Sequence, residues 1–243
     1  MNQVVEVMTK GSIQNREAFL TKIAGKMRRK PRNMDEVLQR PVRQFQPEKE
    51  VLKNASQADL LEALKEQCVA IHTDVVETDA ENLSITLEEL LAQHGQGKRV
   101  IAKDDRFTTF GLTELLEAPS TYLWDVAKAR ENINQAEKAK TGIMFSDITL
   151  AESATVVIFN DKDKARSIGL LPETFIAIIP ASTLVPRMTQ ASAIIDEKIN
   201  KGETISSCVN FISGPSNSAD IEYNLVVGVH GPVKASYIVV TDK

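Results

Sequence analysis

A carboxylate and two hydroxyls stand close together in the segment 147–155, between two apolar runs. Glu152 interrupts a stretch of apolar and small residues, which predicts a position at a strand end or in a turn, and Ser153 and Thr155 follow it. A carboxylate there can act as a base, a nucleophile or a hydrogen-bond acceptor. The alternative is a structural turn in which Glu152 binds backbone N–H groups. We take Glu152 as a candidate catalytic residue, and Ser153 and Thr155 as candidate ligand-binding residues.

A second candidate segment, 212–222, follows a predicted strand with Gly-Pro and then with small hydroxyl and amide residues that could open a helical turn. Ligands of open α/β sheets bind at the carboxyl ends of strands, where free backbone N–H groups favour anions. The carboxylates of Asp220 and Glu222 would repel a phosphate group. They suit a ligand with hydroxyls, or an anion that a nearby cation balances. A Ser/Asn-rich turn without a ligand is the alternative. The candidate ligand-binding residues are Gly214, Pro215, Ser216, Asn217, Asp220 and Glu222.

A histidine between glycines, His230, lies in the sequence Gly228-Val-His-Gly-Pro. This pattern predicts a turn, so that the imidazole is exposed or lines a cleft. General acid–base catalysis is one role for such a group. A packing or hydrogen-bonding role is the alternative. We retain His230 as a second candidate catalytic residue.

Cofactor-binding motifs are missing from the sequence. It contains neither the Gly-rich dinucleotide fingerprint nor a P-loop, and no nucleophile elbow or zincin motif. Its two cysteines, Cys68 and Cys208, lie far apart, whereas iron–sulfur clusters and Cys-rich zinc sites usually take four thiolates from one chain. We therefore expect no metal site, no bound cofactor and two buried, reduced thiols.

The charge is unevenly distributed along the chain, although the net value is only −4. Residues 1–54 hold 12 Lys/Arg against 6 Asp/Glu, and the basic run Lys22–Arg32 contains no acid. Such a run can bind nucleic acid or a membrane surface, or it can be the solvated face of a helix. No aromatics interleave with the cations, so we expect no nucleic-acid binding. No apolar run is long enough to span a bilayer and no signal core is present, which predicts a cytoplasmic protein.

Two parts of the chain are distinguished by their patterns. Residues 1–54 are expected to form a helical extension, with an amphipathic helix over Ser12–Met27 and a proline-containing arm. In residues 55–243 short apolar runs alternate with helical patterns, which predicts an α/β layer fold with a largely parallel sheet. Within it, Ser56 with Asp59 and Thr86 with Glu89 predict helix-capping boxes. We also expect a strand at Val69–Val76 and one helix over Phe107–Leu116.

The sequence resembles the lactate-utilisation protein C family, also called the LUD domain. The resemblance covers residues 125–243 well and 55–124 loosely. Three positions depart from the family pattern: Ala154 stands in place of the usual glycine, Asn217 in place of a common basic residue, and Phe175 in place of a common histidine. The motifs are Thr141-Gly-Ile, Asp147, Ala151-Glu-Ser-Ala-Thr155, Arg166, Leu170-Leu-Pro172, Ser213-Gly-Pro-Ser-Asn-Ser-Ala-Asp-Ile-Glu222 and Gly228-Val-His-Gly-Pro232.

The resemblance implies a three-layer α/β/α fold similar to those of ribose-5-phosphate isomerases, glucosamine-6-phosphate deaminases and coenzyme A transferases. It also implies a non-redox role in oxidising L-lactate to pyruvate, beside two partner proteins that carry iron–sulfur centres. A single pocket would hold a small organic acid or a phosphorylated ligand. We expect its lining to be Glu152, Ser153, Thr155, Ser216, Asn217, Asp220 and His230. Two alternatives remain open: a stand-alone transferase or isomerase that uses Glu152, and a ligand sensor whose basic arm meets a partner.

Overall fold

The computed structural model describes residues 14–30, 44–221 and 223–243, with only the backbone at positions 220 and 221. The chain divides into two compact units, Met1–Phe45 and Gln46–Lys243. The division falls several residues before the boundary that we expect near Asn54. No helix in the described ranges has both the length and the apolar character that a bilayer crossing requires.

The described part of the first unit contains one helix, α1 (Arg16–Lys26). Its basic last turn agrees with the charge pattern, and Arg28 ends it with a φ of 51°. The apolar side chains of Phe19, Ile23 and Met27 are exposed, and Ala24 is buried. The expected start at Ser12 lies outside the described residues.

The second unit is built from strands and helices that alternate, as the sequence pattern predicts. The strands are β1 (Asp74–Thr78), β2 (Arg99–Ile101), β3 (Thr121–Leu123), β4 (Thr141–Phe145), β5 (Ile148–Leu150), β6 (Thr155–Asn160), β7 (Thr174–Pro180), β8 (Leu184–Val185), β9 (Cys208–Ser213), β10 (Asn217–Ile221), β11 (Asn224–Val227) and β12 (Lys234–Val240). The helices are α2 (Pro47–Glu50), α3 (Gln57–Ala70), α4 (Leu83–Gln93), α5 (Arg106–Thr109), α6 (Thr113–Glu117), α7 (Arg130–Lys138), α8 (Ser167–Leu170) and α9 (Met188–Asn200). Two 3-10 helices, Val126–Lys128 and Ala181–Thr183, complete it.

The central sheet has six strands in the order β1-β12-β7-β4-β2-β3, and every neighbouring pair is parallel. Its middle strands are buried on both faces, as in α/β proteins with helices on each side. Leucines of α4 and aromatic and aliphatic residues of α5 and α6 cover one face. The other face packs against α3, α7 and the second sheet. The α/β class with a largely parallel sheet is thus confirmed.

The second sheet is mixed and has the order β8-β5-β6-β9. Strands β5 and β6 form an antiparallel hairpin, whose turn carries Glu152 and Ser153. Helix α9 packs on its outer face through Ala191 and Ile194. Strands β10 and β11 pair with each other in a separate antiparallel hairpin.

Several local predictions are wrong for identifiable reasons. Val69 belongs to the last turn of α3 and is exposed, because the apolar repeat continues through Cys68 and ends only at His72, whose φ is 55°. The expected helix over Phe107–Leu116 is broken into α5 and α6 by Gly111, whose φ is 77°. These positive φ values end a helix where hydrophobic spacing alone does not.

Of the two predicted helix-capping boxes, one is present in the structure. Ser56 and Asp59 form the expected capping box at the start of α3. Thr86, however, lies inside α4 and donates to the Asn82 carbonyl, so no capping box begins there. The segment after Gly214 opens strand β10 and not a helical turn.

Candidate functional site

The turn that carries Glu152 is fixed by a left-handed residue beneath it. Ala154 is buried and has a φ of 46°, a left-handed conformation that the chain adopts here without a glycine. The positive φ reverses the chain between β5 and β6 and points the Ala154 carbonyl into the protein interior. That carbonyl accepts a hydrogen bond of 3.0 Å from the Tyr237 hydroxyl. The turn is therefore tied to β12 of the central sheet.

The loop at Gly214 is attached to the same hydroxyl. The Gly214 N–H donates to the Tyr237 oxygen over 3.1 Å, and burial raises the pKa of this phenol. Gly214 has a φ of 69°, and a Cβ on it would lie 2.8 Å from both the Ile71 carbonyl oxygen and the Thr73 hydroxyl. Ser213 adds a second link, since its hydroxyl donates to the Ser153 carbonyl over 2.9 Å. The Glu152 turn and the start of the Gly-Pro loop are thus neighbours.

A cleft of about 420 Å³ opens beside this junction. Its volume lies within the range of small-molecule pockets. Its lining combines hydroxyls and charged groups with apolar side chains. Its lining residues are Glu48, Leu150, Glu152, Ser153, Thr155, Arg187, Met188, Thr189, Phe211 and Ser213.

Arg187 forms an ion pair with Glu152 in the lining of the cleft. Its Nε donates to the Glu152 carboxylate over 2.5 Å, and its Nη1 donates to the Pro47 carbonyl over 3.1 Å. The two side chains retain 25% and 41% of their exposure, so water screens the pair. The sequence patterns did not identify Arg187, whose only local feature is that it is a cation directly before α9.

Two hydroxyl groups, those of Ser153 and Thr155, also belong to the lining of the cleft. Ser153 and Thr155 hydroxyl oxygens are 2.8 Å apart, and Thr155 is nearly buried. Thr155 also reaches the Ser153 carbonyl over 3.3 Å. If Thr155 uses its proton within this pair, the Ser153 O–H is left to donate into the cleft.

The remaining candidate residues form a separate group. The backbone of Ser216 bonds to Pro232 and Gly228, and its hydroxyl accepts a 3.3 Å bond from the His230 N–H. Among the described residues that line the cleft, none is Ser216, Asn217 or His230. The structure therefore brings Ser216 and His230 together but places them outside the Glu152 cleft.

Of the positions that remain, Pro215 and Phe175 have simple structural placements. Pro215 is buried, and its carbonyl accepts a 3.2 Å bond from the Asn217 side chain. Phe175 lies in the core and is 1% exposed. The side chain of Asp220 and the whole of Glu222 lie outside the described residues.

A second cleft, of about 550 Å³, lies at the carboxyl ends of β2 and β4. Arg106 there binds Asp104 through Nε and Nη2, and Asp147 through Nη2 over 2.8 Å. The charged groups of Arg106 and Lys164 hold the pKa of Asp104 below its usual range, although burial, the largest single influence, opposes this. Sequence reasoning noted Asp147 but not Asp104 or Arg106.

The two cysteines differ in their surroundings. Cys68 is buried in the main core, and burial raises the pKa of its thiol to about 12. Cys208 is half-buried, which differs from the expectation that both are buried. Within the described residues, no three His, Cys, Asp or Glu side chains converge as metal ligands would.

Comparison with known proteins identifies the family. The family model of the LUD domain matches residues 53–240. Proteins named lactate utilization protein C are 53% identical in Geobacillus sp. (strain WCH70), over 98% of this chain, and 50% identical in Bacillus subtilis (strain 168), over 97%. Each relative is covered over its whole length.

A solved structure shares the fold. The crystal structure of a DUF162 family protein from Deinococcus radiodurans aligns with a TM-score of 0.51 at 16% identity, over 76% of this chain and 99% of that one. At this identity the likeness concerns the fold alone. The family model and the relatives of about 50% identity show that this chain belongs to the LUD domain family of lactate-utilisation proteins.

Proposed function

We propose that this protein is the non-redox component of a system that oxidises L-lactate to pyruvate in the cytoplasm, together with partner proteins that carry iron–sulfur centres. The observation that carries the proposal is the identity of about 50%, over nearly the whole chain, with proteins named lactate utilization protein C. A role in lactate utilisation follows from the family. The reaction and the nature of the partners are our inference.

The oxidation of lactate removes two electrons and two protons, one proton from the C2 hydroxyl and the other with the C2–H bond. The electrons need an acceptor. This chain has two cysteines, of which Cys68 is enclosed in the core with a strongly raised pKa, so it lacks the four thiolates that a cluster usually takes. We assign electron transfer to the partners and substrate handling to this chain.

Deletion of the gene in its own host tests the proposal. We expect the deletion strain to lose growth on L-lactate as the sole carbon source, to keep growth on pyruvate, and to recover when the gene is returned. We also expect the tagged protein to co-purify with proteins whose absorption spectra show iron–sulfur centres. Unchanged growth on lactate would contradict the proposal.

A further inference from the structure

We propose that the Glu152 cleft binds a short hydroxy or keto acid, with Arg187 as the anchor for its carboxylate and Glu152 as the group that the ligand displaces. The inference rests on the proposed function and specifies the substrate class of its site. In this assignment Glu152 competes with the ligand for Arg187 and does not bind the ligand itself.

The guanidinium of Arg187 is positioned before any ligand arrives. The Pro47 carbonyl holds Nη1, and Glu152 holds Nε through one carboxylate oxygen. Nη2 makes no hydrogen bond within residues 14–30, 44–221 and 223–243. A carboxylate that replaces Glu152 gains the edge formed by Nε and Nη2 and can bind it with both oxygens.

Adjacent hydroxyls suit the second functional group of such an acid. Ser213 already donates its proton to the Ser153 carbonyl, so its oxygen offers lone pairs to a ligand hydroxyl. Ser153 can donate to a keto oxygen when Thr155 directs its proton inward. A site with these groups discriminates against an acid that lacks the hydroxyl or keto oxygen, because its polar groups would then lose their partners.

Apolar side chains also line the cleft. Leu150 is buried, while Met188 and Phe211 remain 49% and 40% exposed. These side chains gain contacts with a short aliphatic chain, such as the methyl group of a three-carbon acid.

The charge of the cleft favours a monocarboxylate over a phosphate. Its lining contains one cation, Arg187, and two carboxylates, Glu48 and Glu152. The formal charge of this lining is −1, so a monocarboxylate takes it to −2, with the displaced Glu152 left to solvent. A phosphate dianion would take it to −3 and would be repelled more strongly by Glu48 and Glu152.

Titration calorimetry on the full-length protein tests this assignment, with L-lactate, pyruvate, propionate and inorganic phosphate as ligands. We expect lactate and pyruvate to bind more tightly than propionate and phosphate. Arg187→Met should weaken lactate binding by about tenfold or more, because a charge-assisted bidentate contact is lost. Glu152→Gln should tighten it by about two- to fivefold, because a screened competitor is removed.

The two variants separate binding from structure. Both break the same ion pair, so a merely structural pair predicts similar changes in both, whereas our assignment predicts opposite signs. Glu203→Gln, which breaks the exposed Lys198–Glu203 pair outside the cleft, is the matched control and should leave affinity unchanged. If Arg187→Met does not fold, Arg187→Lys keeps the charge without the planar fork and should still weaken lactate binding.

Equal effects of the Arg187 and Glu152 variants, tighter binding of phosphate, or no binding of lactate and pyruvate by the wild type would overturn the inference. No binding together with a lactate growth defect would leave the proposed function standing. If the purified protein binds lactate with the expected signs but the deletion strain still grows on lactate, the proposed function is wrong and the assignment of the binding site stands.

Discussion

The Tyr237 hydroxyl donates a hydrogen bond to the Ala154 carbonyl, 83 positions earlier in the chain, and accepts one from the Gly214 N–H. A single phenol in the central sheet thereby joins the two loops that meet at the cleft. A third neighbour, the Ile212 carbonyl oxygen, lies 3.3 Å from the Tyr237 hydroxyl oxygen. These contacts explain how the Glu152 turn of the second sheet and the loop after β9 are held beside each other.

Tyr237→Phe keeps the buried ring and removes only this link. We expect it to lower the free energy of unfolding by about 1–3 kcal/mol, because the Gly214 N–H loses its buried partner. Urea unfolding measures the change. Tyr122→Phe, which removes the 3.0 Å bond to Asn132 at a less buried position, is the control and should cost less. Equal losses in both variants would contradict a special role for Tyr237.

Arg106 joins charges at the carboxyl ends of two neighbouring strands. The chain leaves β2 for β3 on one side and β4 for β7 on the other, so a crevice opens between them. Asp104 and Asp147 side chains there are only 9% and 13% exposed. Arg106→Met should destabilise the fold by up to about 3–5 kcal/mol, because two nearly buried carboxylates lose the cation that binds them both and keep only Lys164, whose Nζ lies 3.7 Å from Asp147.

The comparison for Arg106 is Arg99→Met, which breaks the pair with the more exposed Glu88. Thermal and urea unfolding at neutral pH should give a much smaller loss for this control. The Arg106 variant should also recover part of its deficit at low pH, because protonation of Asp104 removes the charge that the lost guanidinium balanced. A loss that does not change with pH would contradict the electrostatic explanation.

Hydrophobic periodicity and the capping box of Ser56 and Asp59 were enough to predict the alternating elements and the parallel sheet. The same signals failed where one residue adopts a positive φ: His72 ends α3 and Gly111 divides the next helical pattern. Such conformations depend on the local backbone and on tertiary contacts, neither of which apolar spacing records.

The candidate site was predictable only where its residues are close together in the sequence. Glu152, Ser153 and Thr155 share one turn, so their types and spacing suggested a site. Arg187 enters the cleft because β8 pairs with β5, which places the residues after β8 beside the Glu152 turn. No local pattern reports that pairing.

Buried His94 should make stability depend on pH. Its Nε2 lies 2.8 Å from the Ser236 hydroxyl, and burial, followed by the charge of Lys234, lowers its pKa below the ordinary 6.5. Asp74 opposes this shift and Lys140 supports it. The unfolded chain therefore binds the His94 proton more readily than the folded chain does. This histidine does not reduce the free energy of unfolding above about pH 6.5, but it lowers that free energy as the pH drops toward the pKa of His94 in the folded chain.

Urea unfolding between about pH 5 and pH 8 measures this loss, with a limiting slope of about 1.4 kcal/mol per pH unit for one proton. His94→Gln should flatten the slope in this range. His230→Gln, at an exposed position, should retain it. A wild-type slope that survives in His94→Gln would assign the effect to other groups.

Truncation distinguishes a boundary at Phe45 from one near Asn54. Residues 46–54 include Pro47, whose carbonyl holds Arg187, and Leu52, which packs against the main core. A chain that begins at Gln46 keeps both contacts and is the reference for the comparison. One that begins at Ala55 should lose about 1–3 kcal/mol of unfolding free energy, because the Arg187 hydrogen bond and the Leu52 contacts are removed. It should also bind lactate more weakly, since Nη1 of Arg187 is no longer held. Identical stability of the two truncated chains would place the boundary near Asn54 and would show that Pro47 does not position Arg187.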